Sequence, residues 1–397
     1  MIEKSDVIQL GCPPLPVVRI AFIGLGRRGK QSFGNYMHLD GVEIRAVCDL
    51  DEDNLREVRA LLKENGRTAV DGYSGAEDWK TVCGRDDIDL VYVCTCIRLH
   101  AEIAVYAMAC NKHVAVEVPI ADTVEDCWRI VEAAEKYRRH CIMLENCCYG
   151  RFEMAALNMC SHGVLGDVIH AEGSYIHDLR HIDFKKRPDY LDHWLKEGNP
   201  YPTHGLDPVC QALGIHRRDR LSWAISVSNG QFCFPETGNA DFVDRCVLGN
   251  TNTTIIMTEK QKTIVLQHDI SSPRPYWRNF LLSGTEGFIR KAEPPIVQIP
   301  GCTIDTLSGL YERFEHPFYV EKGKQAASIG AHEGMDFMMD YRLVHCLQRG
   351  LPLDMDVYDA VEWSCLVELT ALSIQCGHVP VQIPDFTRGA WCRTFSG

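Results

Sequence analysis

Between residues 17 and 146, short apolar, β-branched runs alternate with longer amphipathic stretches. The runs at 17–23, 42–48, 90–93, 113–117 and 141–146 read as strands, with a minor one near Gly72 and Tyr73. Helical spacing fills the intervals at 28–39, 53–64, 76–83, 100–110 and 124–137. Strict alternation requires crossover connections, and strands this apolar are buried on both faces. Residues 17–150 are therefore expected to form a doubly wound parallel α/β sheet, after an N-terminal arm over 1–16.

The pattern changes near residue 150. A helix over 152–160 leads to an alternating strand at 168–175 and then to a polar loop rich in His, Asp and Arg. Strand-like runs at 244–248, 253–258, 263–268, 280–284 and 287–290 follow with only turns between them, which means hairpins. Two helices, 332–349 and 355–375, close the chain. Residues 151–397 thus read as an α+β domain with a large, mostly antiparallel open sheet, serving substrate binding and oligomerisation.

Composition narrows the partners. The 397 residues, 46% hydrophobic, suffice for two cores. A formal net charge of −13 disfavours a nucleic acid or an anionic membrane surface. Nineteen cysteines without a C-x-x-C pair fit neither a disulfide framework nor a zinc ribbon, and read as reduced, mostly buried thiols in a cytoplasmic protein. Residues 1–10 lack the apolar core of a signal peptide and no apolar run reaches 18 residues, so a soluble, unprocessed chain is expected.

The first strand runs into Gly24-Leu25-Gly26-Arg27-Arg28-Gly29, a complete G-x-G-x-x-G. In this strand-to-helix context Gly24 makes the tight turn, Gly26 admits a pyrophosphate to the backbone, and Gly29 allows helix-to-strand packing. The helix that follows presents free N–H groups to the phosphates. Asp49, at the end of the second strand, is placed to accept from a ribose diol and repels a 2′-phosphate, so NAD is the expected cofactor of a Rossmann domain, with Arg27 and Arg28 leaving NADP conceivable. Thr95 and His100 lie at the carboxyl edge of the same sheet, and Glu117-Val118-Pro119 forms a corner after the fourth main strand.

The fingerprint, this Glu-x-Pro corner and the antiparallel second domain together resemble the glucose-fructose oxidoreductase / inositol dehydrogenase (Gfo/Idh/MocA) superfamily. Its dehydrogenases commonly carry a catalytic lysine where this chain has Val118. A narrower resemblance accounts for that change. Met143 to Tyr149 (MLENCCY), Tyr201 to Leu206 (YPTHGL), Ser272 to Tyr276 (SPRPY) and Leu351 to Ala360 (LPLDMDVYDA) look like the signature stretches of glycoside hydrolase family 109, NAD-dependent α-N-acetylgalactosaminidases.

The resemblance implies hydrolysis of terminal α-N-acetylgalactosamine by transient oxidation at carbon 3, elimination, water addition and re-reduction, with NAD regenerated in each turnover. It implies that His204 handles the carbon-3 hydroxyl proton, that Tyr149 is the base at carbon 2, and that Glu117 sits beside nicotinamide and sugar. Tyr201, Tyr276 and Arg180 are implied sugar contacts. Departures are the Thr95-Cys96-Ile97 turn and Gly205-Leu206-Asp207-Pro208 after His204. His177 and His181 have a spacing that suits zinc on a helix, but a polar substrate-contacting loop is the preferred reading, with no metal. Alternatives are a sugar or cyclitol dehydrogenase and a non-catalytic NAD sensor. A carbohydrate or glycan is the expected substrate, and a homo-oligomer the expected assembly.

Overall fold

The computed structural model describes residues 6–184, 187, 190–237, 240–329 and 331–393. It divides into two compact units: Met1–Tyr149 with Glu321–Val361, and Gly150–Val320 with Glu362–Gly397.

The first unit is built on six parallel strands, β1 (Val18–Ile23), β2 (Val42–Cys48), β3 (Asp71–Tyr73), β4 (Leu90–Val93), β5 (His113–Val116) and β6 (Cys141–Met143). They lie in the order β3-β2-β1-β4-β5-β6, so the winding reverses between β1 and β4. β4, β5 and β6 are buried at every position, as their uninterrupted apolar sequence requires. Phe22 of β1 and Tyr92 of β4 meet Phe33 and Tyr36 of the helix Arg27–Tyr36, with ring centroids about 5 Å apart, and fix that helix against the sheet.

The sequence reading assigned everything beyond residue 150 to a second domain, but residues 321–361 belong with the first unit. The helix Met335–Arg349 packs on β1 and on the helix Arg27–Tyr36. It buries Phe337, Met338, Leu343 and Leu347 together with two carboxylates, Asp336 and Asp340. Pattern alone assigns a helix its apolar face but not the surface that will cover it.

The second unit carries nine strands: β7 (Val168–Ile176), β8 (Leu221–Ser228), β9 (Asn252–Thr258), β10 (Thr263–Asp269), β11 (Phe280–Gly284), β12 (Phe288–Arg290), β13 (Ile296–Ile299), β14 (Cys302–Ile304) and β15 (Val381–Gln382). Their order is β14-β13-β12-β11-β7-β10-β9-β8-β15. Only the β7–β10 pair is parallel, the others antiparallel. The helix Thr203–Leu213 lies on β7 at backbone contact: a Cβ on Gly173 would meet the carbonyl oxygen of Gly205 at 1.8 Å.

Three elements differ from expectation. Residues 244–248 form no strand; Cys246 and Leu248 pack in a cluster with Trp194, Tyr175 and Ile270, and the amide of Val247 donates to the carbonyl of Trp194 at 3.1 Å. The single helix expected over 355–375 is two, Val357–Ser364 and Leu366–Gln375, and the units divide between Val361 and Glu362. The helix expected from 332 begins at Met335, preceded by a short turn in which His332 and Glu333 take positive φ. None of the nineteen cysteines forms a disulfide, and ten of them are buried. Among the described residues no helix is long and apolar enough to cross a membrane.

Candidate functional site

In the first unit the glycine loop has the geometry that its sequence requires. Gly24 has φ +89°, and a Cβ there would lie 2.4 Å from the carbonyl oxygen of Cys94; one on Gly29 would lie 2.1 Å from the carbonyl oxygen of Gly24. Gly26 differs, since nothing lies within 4 Å of the Cβ position. Gly26 caps the helix Arg27–Tyr36 without any side-chain hydrogen bond, which leaves first-turn N–H groups for an anionic ligand. Asp49 stands beside this loop. Its Oδ2 accepts from the amide of Leu25 at 2.5 Å, and its Oδ1 accepts from Asp51 N and Asn54 Nδ2. An open glycine, an uncapped helix start and an adjacent carboxylate fit the pyrophosphate and ribose of a dinucleotide.

The two arginines of the loop have separate fates. Arg27 is exposed. Arg28, expected to touch the cofactor, is turned inward: its Nε donates to Glu117 Oε1 at 2.6 Å and its Nη1 lies 3.0 Å from Asp336 Oδ2. Burial acts against the Arg28 charge, but Glu117 and Asp336 overcome it and hold the guanidinium firmly protonated. Asp336 is held well below the usual carboxylate range against its own burial, by donation from His332 and by Arg28. Glu117 therefore enters the site as half of an ion pair.

His100 is likewise committed. Its Nδ1 lies 2.9 Å from the carbonyl of Pro119 and its Nε2 3.0 Å from the carbonyl of Thr95, so the ring packs between the turn after β4 and the Glu117-Val118-Pro119 corner and, when neutral, donates to one of the two carbonyls. This makes His100 a positioning residue for the site rather than the cofactor contact expected. Burial pushes its pKa down. Thr95 is partly exposed at the start of the helix Ile97–Ala109.

Tyr149 is buried, and its hydroxyl donates to Asp354 Oδ2 at 3.2 Å. Asp354 in turn is forked by Arg342, with bonds of 2.9 and 2.8 Å. Burial raises the phenol well above its ordinary pKa and the Asp354 carboxylate raises it further. A phenol acting as base needs the opposite environment; the hydrogen bond to Asp354 holds Tyr149 as a donor.

In the second unit the aromatic and imidazole side chains converge. His204, in the first turn of the helix Thr203–Leu213, lies with Nε2 3.4 Å from the hydroxyl of Tyr201 and meets the rings of Tyr201 and Tyr175 edge-on at 4.7 and 5.5 Å. Tyr175, at the end of β7, pairs its hydroxyl with His177 Nδ1 at 3.1 Å, and His177 meets Tyr276 at 5.0 Å. Tyr276 is 53% exposed. The backbone contact of Gly173 and Gly205 brings His204 to Tyr175: any side chain there would lift the helix off the strand.

Tyr175 and His268 were missed by sequence reasoning, which had placed His177 in a polar substrate-contacting loop. The alternation of β7 and β10 predicts that Tyr175 and His268 point to one face, and both do. His268 stacks on Tyr175, neither ring nitrogen has a hydrogen-bond partner among the described residues, and burial drives its pKa down to about 3. Arg180, expected at the sugar, is forked on Asp178 by bonds of 2.8 and 2.7 Å. His177 and His181 lie on a loop rather than a helix and turn to different partners, Tyr175 and Glu236.

Comparison with known proteins places a boundary between residues 145 and 149. Residues 18–145 match the oxidoreductase family, NAD-binding Rossmann fold, and residues 149–393 match the glycosyl hydrolase 109, C-terminal domain. An alpha-N-acetylgalactosaminidase of Bacteroides fragilis is 47% identical, over 98% of this chain and 96% of its own. Glycosyl hydrolase family 109 protein 2 of Phocaeicola vulgatus is 46% identical, over 98% and 99%. Among solved structures, levoglucosan dehydrogenase in complex with NADH and L-sorbose is similar in fold, with a TM-score of 0.69 at 16% identity over 93% of this chain and 100% of that one. With a family model covering more than half its length and relatives close to half identical from end to end, the chain belongs to glycosyl hydrolase family 109.

Proposed function

We propose that this protein is an NAD-dependent glycosidase that removes terminal α-N-acetylgalactosamine. The observation that carries this reading is the pairing of an open, uncapped dinucleotide loop with Val118 at the corner where a dehydrogenase of this fold carries lysine, in a chain 47% identical to a named α-N-acetylgalactosaminidase. Bound at Gly24, Gly26, Gly29 and Asp49, NAD⁺ supplies reversible hydride acceptance at carbon 3 of the sugar. His204 takes the proton of the carbon-3 hydroxyl and holds it for return, with Tyr201 against Nε2 to orient the ring. Tyr276 gives the sugar an exposed aromatic face, and Tyr201 a polar edge. Tyr149 serves as a hydrogen-bond donor anchored on Asp354.

The test is to incubate the protein with p-nitrophenyl α-N-acetylgalactosaminide and, separately, with free sugars, following nitrophenol and the 340 nm absorbance together. Nitrophenol release without net NADH is expected. Net NADH from a free sugar identifies a dehydrogenase instead.

Nineteen cysteines without a disulfide favour a reducing compartment, and on that ground we infer a cytoplasmic protein. We also place a second copy of the chain on the outward face of the nine-stranded sheet, where Ile225, Ile255 and Val265 stand in register across β8, β9 and β10. Sedimentation of the parent and of Ile255→Glu, with a dimer or larger expected only for the parent, checks that assignment.

A further inference from the structure

The helix Arg27–Tyr36 presents Arg28, Gln31 and Asn35 along one face, at the i, i+3, i+7 spacing of a helical stripe. Facing them, the helix Met335–Arg349 presents Asp336 and Asp340, one turn apart. Asp336 accepts from Gln31 Nε2 at 2.8 Å and from Asn146 Nδ2 at 2.6 Å, besides its contacts with Arg28 and His332. Asp340 accepts from Asn35 Nδ2 at 2.8 Å and from the hydroxyl of Tyr92 at 2.9 Å. Amides would suffice to join two helices. What this seam adds is charge.

The charges within ion-pair reach of Arg28 are one guanidinium against two carboxylates, Glu117 and Asp336. Every other buried neighbour is neutral or close to it. Burial keeps the phenols of Tyr36 and Tyr92 and the thiol of Cys94 protonated, and raises Asp340 to about 7. His332 Nδ1 lies 2.8 Å from Asp336 Oδ2, so the excess of one carboxylate holds with that half-exposed imidazole neutral. Glu117 closes β5, in the half of a doubly wound sheet that takes the nicotinamide. Arg28, the cation that the fingerprint sequence offers to the phosphates, is instead outnumbered by Glu117 and Asp336.

We propose that Asp336, through the Arg28–Glu117 pair, makes the nicotinamide end of the site net anionic, so that the protein binds NAD⁺ in preference to NADH. The inference rests on the cofactor reading above. Its consequence is functional: a glycosidase that lends and recovers a hydride starts each cycle from the oxidised ring, and the cluster holds the resting cofactor there. Oxidised nicotinamide carries one positive charge that the reduced ring lacks, so only the NAD⁺ complex gains from the extra carboxylate.

The experiment titrates the dinucleotide-free full chain with NADH, by fluorescence, and with NAD⁺, by calorimetry, and takes the ratio of the two dissociation constants. The parent is expected to favour NAD⁺ by about tenfold, a plausible scale for one extra charge in a partly screened site. Asp336→Asn is expected to bring the ratio close to one by weakening NAD⁺ alone. Arg28→Gln, which removes the opposite charge, is expected to move the ratio the other way, while Arg28→Lys preserves it. Equal weakening of both dinucleotides in Asp336→Asn would reduce the residue to a structural brace and overturn the inference, as would a parent that prefers NADH. If the parent binds neither dinucleotide, the cofactor reading itself fails, a separate result.

Discussion

The hydroxyl of Tyr149 donates to Asp354 at 3.2 Å, and Arg342 closes a two-pronged fork on the same carboxylate. A phenol so placed is pinned as a donor. Tyr149→Phe is therefore expected to slow turnover by no more than about tenfold and to leave exchange of the carbon-2 proton with solvent deuterium intact, as followed by NMR. Loss of exchange by more than about 10²-fold, the scale of a missing acid–base group, would reinstate the phenol as the base.

His204 meets the rings of Tyr175 and Tyr201 and the Tyr201 hydroxyl in the second unit, while the loop suited to the dinucleotide lies in the first. His204→Ala should cut nitrophenol release by at least about 10²-fold with dinucleotide affinity unchanged. Unaltered turnover would remove the imidazole from the reaction.

The three glycines of the loop separate fold from binding. Gly24→Ala and Gly29→Ala each drive a Cβ into backbone and should lower the thermal midpoint; the Cβ of Gly26→Ala has open space around it and a backbone φ of −59° that alanine accepts. Gly26→Ala should therefore melt like the parent yet lose at least about tenfold in dinucleotide affinity, because the methyl group occupies the path of the pyrophosphate. A Gly26→Ala protein that binds normally would show that the dinucleotide does not approach there.

Much of this was legible in the chain, and the reason is locality. The glycine turn, Asp49 and the strand-helix alternation are short-range patterns whose physics is complete within a few residues. Arg28 looked like a phosphate ligand because its true partner, Asp336, is far along the chain. Tyr149 was given the role of base by the family resemblance, and its neighbour Asp354 is equally remote. β8 was overlooked because its serines dilute the alternation, and the apolar 244–248 run was taken for a strand although its side chains serve a cluster around Trp194. Sequence pattern identifies which side chains avoid water, and long-range packing decides which polar groups are already engaged.

Asp340 makes stability depend on pH. Burial raises its pKa to about 7 although Asn35 and Tyr92 both donate to it. The folded state thus holds a proton that the unfolded chain, with an aspartate near 4, releases earlier. Its stabilising effect is complete below about pH 4 and is lost as pH rises to about 7, by roughly 4 kcal/mol at most. Asp340→Asn, which keeps an uncharged amide in the seam, should gain thermal stability relative to the parent on going from pH 5 to pH 8. A constant difference between the two proteins across that range would mean that Asp340 is ionised throughout.

The return of residues 321–361 to the first unit makes that unit discontinuous along the chain. During synthesis the six parallel strands leave the ribosome long before the helix Met335–Arg349 that covers the dinucleotide helix, and most of the second unit emerges in between. The nascent sheet must therefore wait for its cover, and the cofactor half of the protein is finished only after most of the second unit has been made.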